Sequence, residues 1–296
     1  MSVDEIVEWA RYAEKKGYGY IFRSDHLLPT AGNESRDSPE CWVTLGAIAA
    51  STQSIRFGPM VSPVAFRNPA LLAKMACTLD AYSRGRLLLG MGGGWFEGEY
   101  RAHGFEFPRF RVRMEQLDEA LQIVRPLTEG RRVEFDGKHF HAHTDCLPKP
   151  VRKVHLIVGG KNAGVVELAA KHADEWNTYS IPADNLRRVK LLLDSKLHGK
   201  RVIASQMGSF VIADSKGDLE RRVRNQMRAR GMTGDFEVGL TKLRMKGLLC
   251  GTPEEFLSQL NKLLELGVER FYFQILDRKD RDVVNLLTET LKQGLR

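Results

Sequence analysis

Apolar residues recur along this chain with two alternating periods. In residues 4–16, Ile6, Val7, Trp9, Ala10 and Ala13 share one helical face, and Gly17 ends the helix. Residues 18–24 are aromatic and β-branched, and read as a buried strand before the polar pair Asp25-His26. A polar loop with Gly32, Asn33 and Pro39 follows, and a helical pattern resumes over 41–50. The cycle then returns, with strands expected at 55–61, 87–91, 155–158, 176–179, 202–212 and 271–276. Helices are expected between them at 69–83, 110–127, 164–172 and 183–197, then as one long basic segment after residue 212, at 253–266, and from Asp280 onward.

Strands that are apolar on both faces and separated by helices imply a parallel sheet covered by helices. An open doubly wound sheet usually stops earlier, so the unbroken rhythm favours a TIM-type (β/α)8 parallel barrel. No Ser/Gly/Pro-rich linker interrupts it, and residues 1–296 read as one domain. The turn-rich stretch at about 128–154, with Glu129-Gly130, Asp136-Gly137 and Pro148-Lys149-Pro150, reads as an insertion that caps the barrel mouth or meets a partner subunit. The pattern supplies about seven strands where such a barrel needs eight. Met1-Ser2-Val3 leads straight into the first helix, so the barrel is expected to lack its first strand in this chain. Either the reading frame starts upstream, or a gap opens beside strands 20–24 and 271–276.

At 43% hydrophobic and 28% charged residues, the chain has the composition of a folded soluble protein. It holds no apolar run long enough to span a bilayer, and its amphipathic start is unlike a signal peptide. Cys41, Cys77, Cys146 and Cys250 are scattered, as expected of reduced thiols in the cytoplasm. The net charge of +8 brings polyanions into consideration. However, the densest basic run, residues 221–230, lacks interleaved aromatics and reads as a solvated helix face, which argues against a nucleic-acid partner.

In a parallel barrel, chemistry collects where strands end. Asp25-His26 stands at such an end, where an imidazole can donate to a cofactor edge or a substrate oxygen; the alternative is a loop cap in which Asp25 orients His26. Gly92-Gly93-Gly94 would let the backbone approach a flat ring, or form a plain tight turn. With Trp95 in its last position the segment fails the dinucleotide pattern, and Glu97 and Glu99 would repel a pyrophosphate at the next helix. Gly159-Gly160 precedes a helix whose free N–H groups could hold a phosphate, with Lys161 and Asn162 as further donors. Alternation places His139, His141 and His143 on one strand face near Cys146. That stretch lies away from the strand ends and lacks an obvious carboxylate support, so it reads as a solvated strand, and no metal site is assigned.

Five ordered stretches resemble the luciferase-like family of oxidoreductases, within it the branch that uses the deazaflavin coenzyme F420. They are Ser24-Asp25-His26-Leu27, residues 61–74, residues 85–95, Leu147-Pro148-Lys149-Pro150 and Ala173-Asp174-Glu175-Trp176-Asn177. The resemblance implies a flavin-type cofactor, F420 or else FMN, and hydride exchange with a small organic substrate. It implies His26 as cofactor contact and proton donor or stabiliser; Asp25, beside it at the strand end, is the second catalytic candidate. It places Met60-Val61 at a non-prolyl cis bulge behind the ring and Gly159 and Gly160 at the cofactor phosphate, while the residues themselves suggest Gly92, Gly93 and Gly94 as a cofactor wall and Asn162 as a further phosphate donor. The alternatives are an FMN-dependent monooxygenase served by a partner reductase and a non-catalytic flavin-binding protein, and a homodimer is left open. Glucose-6-phosphate-oxidising relatives carry a glutamate after the glycine turn and a tryptophan after the histidine. Trp95 and Thr30 stand at those places here, which argues against that activity.

Overall fold

The computed structural model describes residues 1–30, 37–278 and 280–294, so Gly32 and Asn33 of the expected polar loop lie outside the described residues. The chain clusters into two compact units, Met1–Trp176 with Lys200–Val202, and Asn177–Gly199 with Ile203–Arg296.

The first unit opens with helix α1 (Val3–Lys15), started by a reciprocal Ser2–Glu5 capping box and packed through Ile6, Val7 and Ala10. Gly17 at φ 85° provides the left-handed turn that ends it. Strand β1 (Tyr20–Arg23) pairs in parallel with β2 (Arg56–Pro59), and α2 (Cys41–Ser51) runs between them. The expected strand 55–61 is split, because the Met60–Val61 peptide is cis and the chain resumes as β3 (Ser62–Pro63). Asn68 caps α3 (Pro69–Tyr82), which starts on proline where a missing N–H costs nothing.

Strand β4 (Leu88–Gly92) is buried at every position and lies parallel to β3 on one side and β7 (His155–Gly159) on the other. Between β4 and β7 come α4 (Glu97–Ala102), α5 (Phe110–Thr128) and an antiparallel hairpin of β5 (Val133–Asp136) and β6 (His141–Thr144). The hairpin falls within the stretch read as an insertion. Carboxylates absent from the sequence reading occupy its histidines: His143 meets Glu134 and Asp136 at 2.6 and 2.9 Å, and His139 meets Glu115 at 3.3 Å. Helix α6 (Ala163–His172) follows β7, and β8 (Glu175–Tyr179) carries the chain into the second unit.

That unit continues with α7 (Ala183–Lys196), β9 (Ile203–Ile212), α8 (Lys216–Ala229), α9 (Phe236–Met245), β10 (Leu249–Gly251), α10 (Pro253–Glu265), β11 (Arg270–Gln274) and α11 (Arg281–Gly294). Strand β9 pairs in parallel with β11 through Ser205–Ser209 and with β10 through Phe210–Ile212. The single basic helix expected after residue 212 is two helices and a strand. Gly231 and Gly234, at φ 62° and 128°, break the helical path, and Val223, Met227, Leu243 and Cys250 form a small core of their own. Strand alternates with helix in both units, as the sequence pattern requires. Among the described residues, β1 has β2 as its strand partner and β11 has β9.

Candidate active site

The expected site residues all belong to the first unit. Asp25 follows β1 and is 1% exposed. Its carboxylate accepts from Ser62 Oγ at 2.6 Å and from both terminal nitrogens of Arg67 at 2.6 and 3.3 Å. Ser62 Oγ is itself held by Trp42 Nε1 at 3.1 Å, and Arg67 also bonds Glu40. Burial alone would lower the Arg67 pKa, but the Asp25 and Glu40 carboxylates outweigh it and raise the pKa. A buried carboxylate is tolerated when charge and hydrogen bonds match it, and this one joins the end of β1 to β3 and the start of α2.

Asp25 therefore does not orient the histidine; Glu99 does. His26 Nδ1 lies 2.8 Å from Glu99 Oε1, and Leu27 N donates to Glu99 Oε2 at 3.0 Å. Glu99, in the first turn of α4, is 0% exposed, while the His26 side chain retains 20% exposure. A carboxylate can only accept, so Nδ1 carries a hydrogen and Nε2 is the ring atom left to exchange a proton. The imidazole edge meets the Trp95 ring at 5.7 Å and 80°. Trp95 stacks on Phe96 at 5.5 Å and is 65% exposed, so it forms an aromatic rim beside the imidazole.

The glycines are required by close local contacts. A Cβ on Gly90, Gly92 or Gly159 would stand 2.9, 2.7 or 2.8 Å from a Val61 methyl, so these residues form a floor that admits the Val61 side chain. Val61, beside buried Met60, then lies over β4 and β7. Gly94 has φ 73°, and a Cβ there would stand 1.7 Å from the Tyr100 hydroxyl. That hydroxyl is buried without a hydrogen-bond partner among the described residues. A Cβ on Gly93 would stand 2.4 Å from Met114 Cε. This turn needs glycine for local fit, whatever approaches from outside.

Gly160 has φ 146°, and its carbonyl is fixed by Trp176 Nε1 at 2.7 Å. Asn162 occupies the N-cap of α6, yet its side chain makes no capping bond, and the first turn holds no acid. Helix α4, by contrast, begins with Glu97 and Glu99. Of these two helix starts after β-strands, α6 is the one whose free N–H groups and dipole suit an anion, and exposed Lys161 adds positive charge. The residues thus fit a phosphate-bearing planar cofactor: an anion cradle at α6, an apolar Val61 surface and a positioned imidazole at the end of β1.

The sequence reading missed Glu99, Arg67, Ser62 and Trp42. Ser62 and Arg67 lie within the family-like stretch 61–74, and the place of Glu99 at a helix start points in sequence only to repulsion of phosphate.

The family model for luciferase-like monooxygenase matches residues 1–270. The chain belongs to the luciferase-like family. Among curated relatives, this luciferase-like chain is 33% identical over 180 residues to an F420-dependent hydroxymycolic acid dehydrogenase of Mycobacterium tuberculosis, covering 58% of this chain and 48% of that one. It is 30% identical over 191 residues to an F420-dependent glucose-6-phosphate dehydrogenase of Microbacterium testaceum, covering 64% and 56%. The matches therefore span about half the length of these relatives. In fold, the chain superposes on an F420-dependent secondary alcohol dehydrogenase with TM-score 0.84 at 20% identity, covering 100% of this chain and 96% of that one. The monooxygenase RslO1 of Streptomyces bottropensis gives TM-score 0.84 at 19% identity, covering 99% and 94%. The architecture is accordingly the α/β fold of the luciferase-like TIM barrels.

Proposed function

We propose that this chain is an F420-dependent oxidoreductase that exchanges a hydride with a small alcohol or carbonyl compound. The observation that carries this reading is the His26–Glu99 pair at the end of β1, taken with the glycine-floored Val61 surface, in a chain whose relatives described above are named for F420. The bound deazaflavin would supply the hydride chemistry. The protein supplies a proton at a fixed point: Nε2 of His26 gives one to the substrate oxygen as a carbonyl is reduced, and takes it back in the oxidative direction. Glu99 keeps Nδ1 protonated and the ring oriented through the cycle. Trp95 and Phe96 limit water around the imidazole. Gly160 and Asn162 at the start of α6 would hold the cofactor phosphate.

A sugar phosphate is a poor fit as substrate, because Trp95 puts an apolar ring where such relatives carry a carboxylate. The second reading, FMN with oxygen and a reductase partner, is favoured by the fold likeness to monooxygenases. Among the described residues no helix is long and apolar enough to cross a membrane. The test is oxidation of reduced F420 by a panel of ketones. His26→Ala should lower turnover by about one hundredfold, the scale of a positioned proton donor. Unchanged turnover in the folded variant would remove His26 from the mechanism, and oxygen-dependent turnover with reduced FMN alone would favour the second reading.

A further inference from the structure

The second unit carries a half-open cleft of about 360 Å³ that the chemistry above does not use. It lies at the carboxyl ends of β9 and β11, where Phe210, Ile275 and Leu276 face α8, and Val283 of α11 adds to its apolar wall. Its volume is in the range of small-molecule sites. The basic run singled out in the sequence supplies its cations, and most of that charge is already matched. Arg221 pairs with Asp218 at 2.9 Å, Arg222 with Asp280 at 2.7 Å, and Arg224 with Glu220 at 3.8 Å. Arg228 lines the cleft and has no carboxylate partner among the described residues. Its Nη2 donates to Asn225 Oδ1 at 2.9 Å, and Asn225 Nδ2 donates to Asp277 Oδ2 at 3.0 Å.

The guanidinium is thus steadied by a neutral amide while most of its donors remain open to a ligand. Among the described residues, the cleft's charges, Arg222 and Arg228 against Asp277 and Asp280, balance formally, which disfavours a dianion such as phosphate and suits a monoanion. We propose that this cleft binds a small organic monocarboxylate: Arg228 takes the carboxylate through its planar fork, and Phe210, Ile275, Leu276 and Val283 receive an apolar body.

Calorimetric titration of the intact chain with octanoate tests this without F420. Octanoate should bind saturably, more weakly at high salt, and more tightly than 1-octanol or octyl phosphate. Arg228→Gln should weaken it by about tenfold or more, the scale of a lost charged hydrogen bond. Arg228→Lys should fall between, and Ala229→Trp, which fills the cleft, should abolish binding. F420 affinity should be unchanged in Arg228→Gln, so failure of the F420 reading leaves this result standing. Equal octanoate affinity in the parent and a folded Arg228→Gln variant, or octanol or octyl phosphate binding as tightly as octanoate, would overturn the proposal.

Discussion

Replacing Glu99 with Gln preserves the size of a fully buried side chain but removes its charge and one acceptor. In the parent, one oxygen serves His26 Nδ1 at 2.8 Å and the other serves Leu27 N at 3.0 Å. Leu27 N–H can only donate, so the amide oxygen must stay with it, and the amide NH2 then faces the imidazole. The neutral ring can meet that donor only by releasing the Nδ1 hydrogen and carrying its proton on Nε2. The variant should therefore reverse the tautomer. Loss of hydrogen bonds to a charged group costs about 1.5–3 kcal/mol. At about 2–4 °C per kcal/mol for a domain of 150–250 residues, melting should fall by roughly 3–12 °C. Nitrogen-15 NMR of the labelled imidazole distinguishes the tautomers without any substrate. A folded Glu99→Gln variant that keeps its Nδ1–H tautomer and its melting temperature would refute the claim that Glu99 orients His26.

Asn162→Asp adds negative charge at the start of α6, so helix stability should rise by about 0.3–1 kcal/mol while F420 affinity falls. Melting and titration moving in the same direction would contradict an anion cradle there. Gly160→Val is a poorer probe, since φ 146° and contacts of 3.0–3.3 Å with Val165 make it costly to the fold itself. Glu14 accepts backbone hydrogen bonds from Gln53, Ser54 and Ile55; burial pushes its pKa up, but these bonds outweigh it and hold it at about 2 against an ordinary 4.5. A depressed folded value means stability present above pH 4.5 and lost as pH falls toward 2, so Glu14→Gln should destabilise at neutral pH and converge with the parent across that window. Denaturant unfolding at several pH values checks this, and a gap independent of pH would refute it.

The strand–helix rhythm was legible because apolar periodicity and glycine stops are local signals. So was the placement of Asp25-His26 at a strand end. The partner of His26 was not, because Glu99 is 73 positions away and its sequence context, the first turn of a helix, suggested a role toward phosphate. Asp25 sits beside His26 in the chain, yet Arg67 and Ser62 take it into a different network. Gly92 looks like part of a cofactor wall in sequence and Gly159 like part of a phosphate turn, and in the fold the missing side chains of both also make room for Val61, which sits between β2 and β3. Periodicity also failed after residue 212, where two glycines with positive φ divide one apparent helix into two.

Whether this luciferase-like fold is adapted to F420 is decided by titrating the purified, cofactor-free chain with F420 and with FMN and following fluorescence. Saturable F420 binding is expected, tighter than FMN and weakened by Asn162→Asp. Retention of FMN with no F420 binding, or no binding of either, would contradict it.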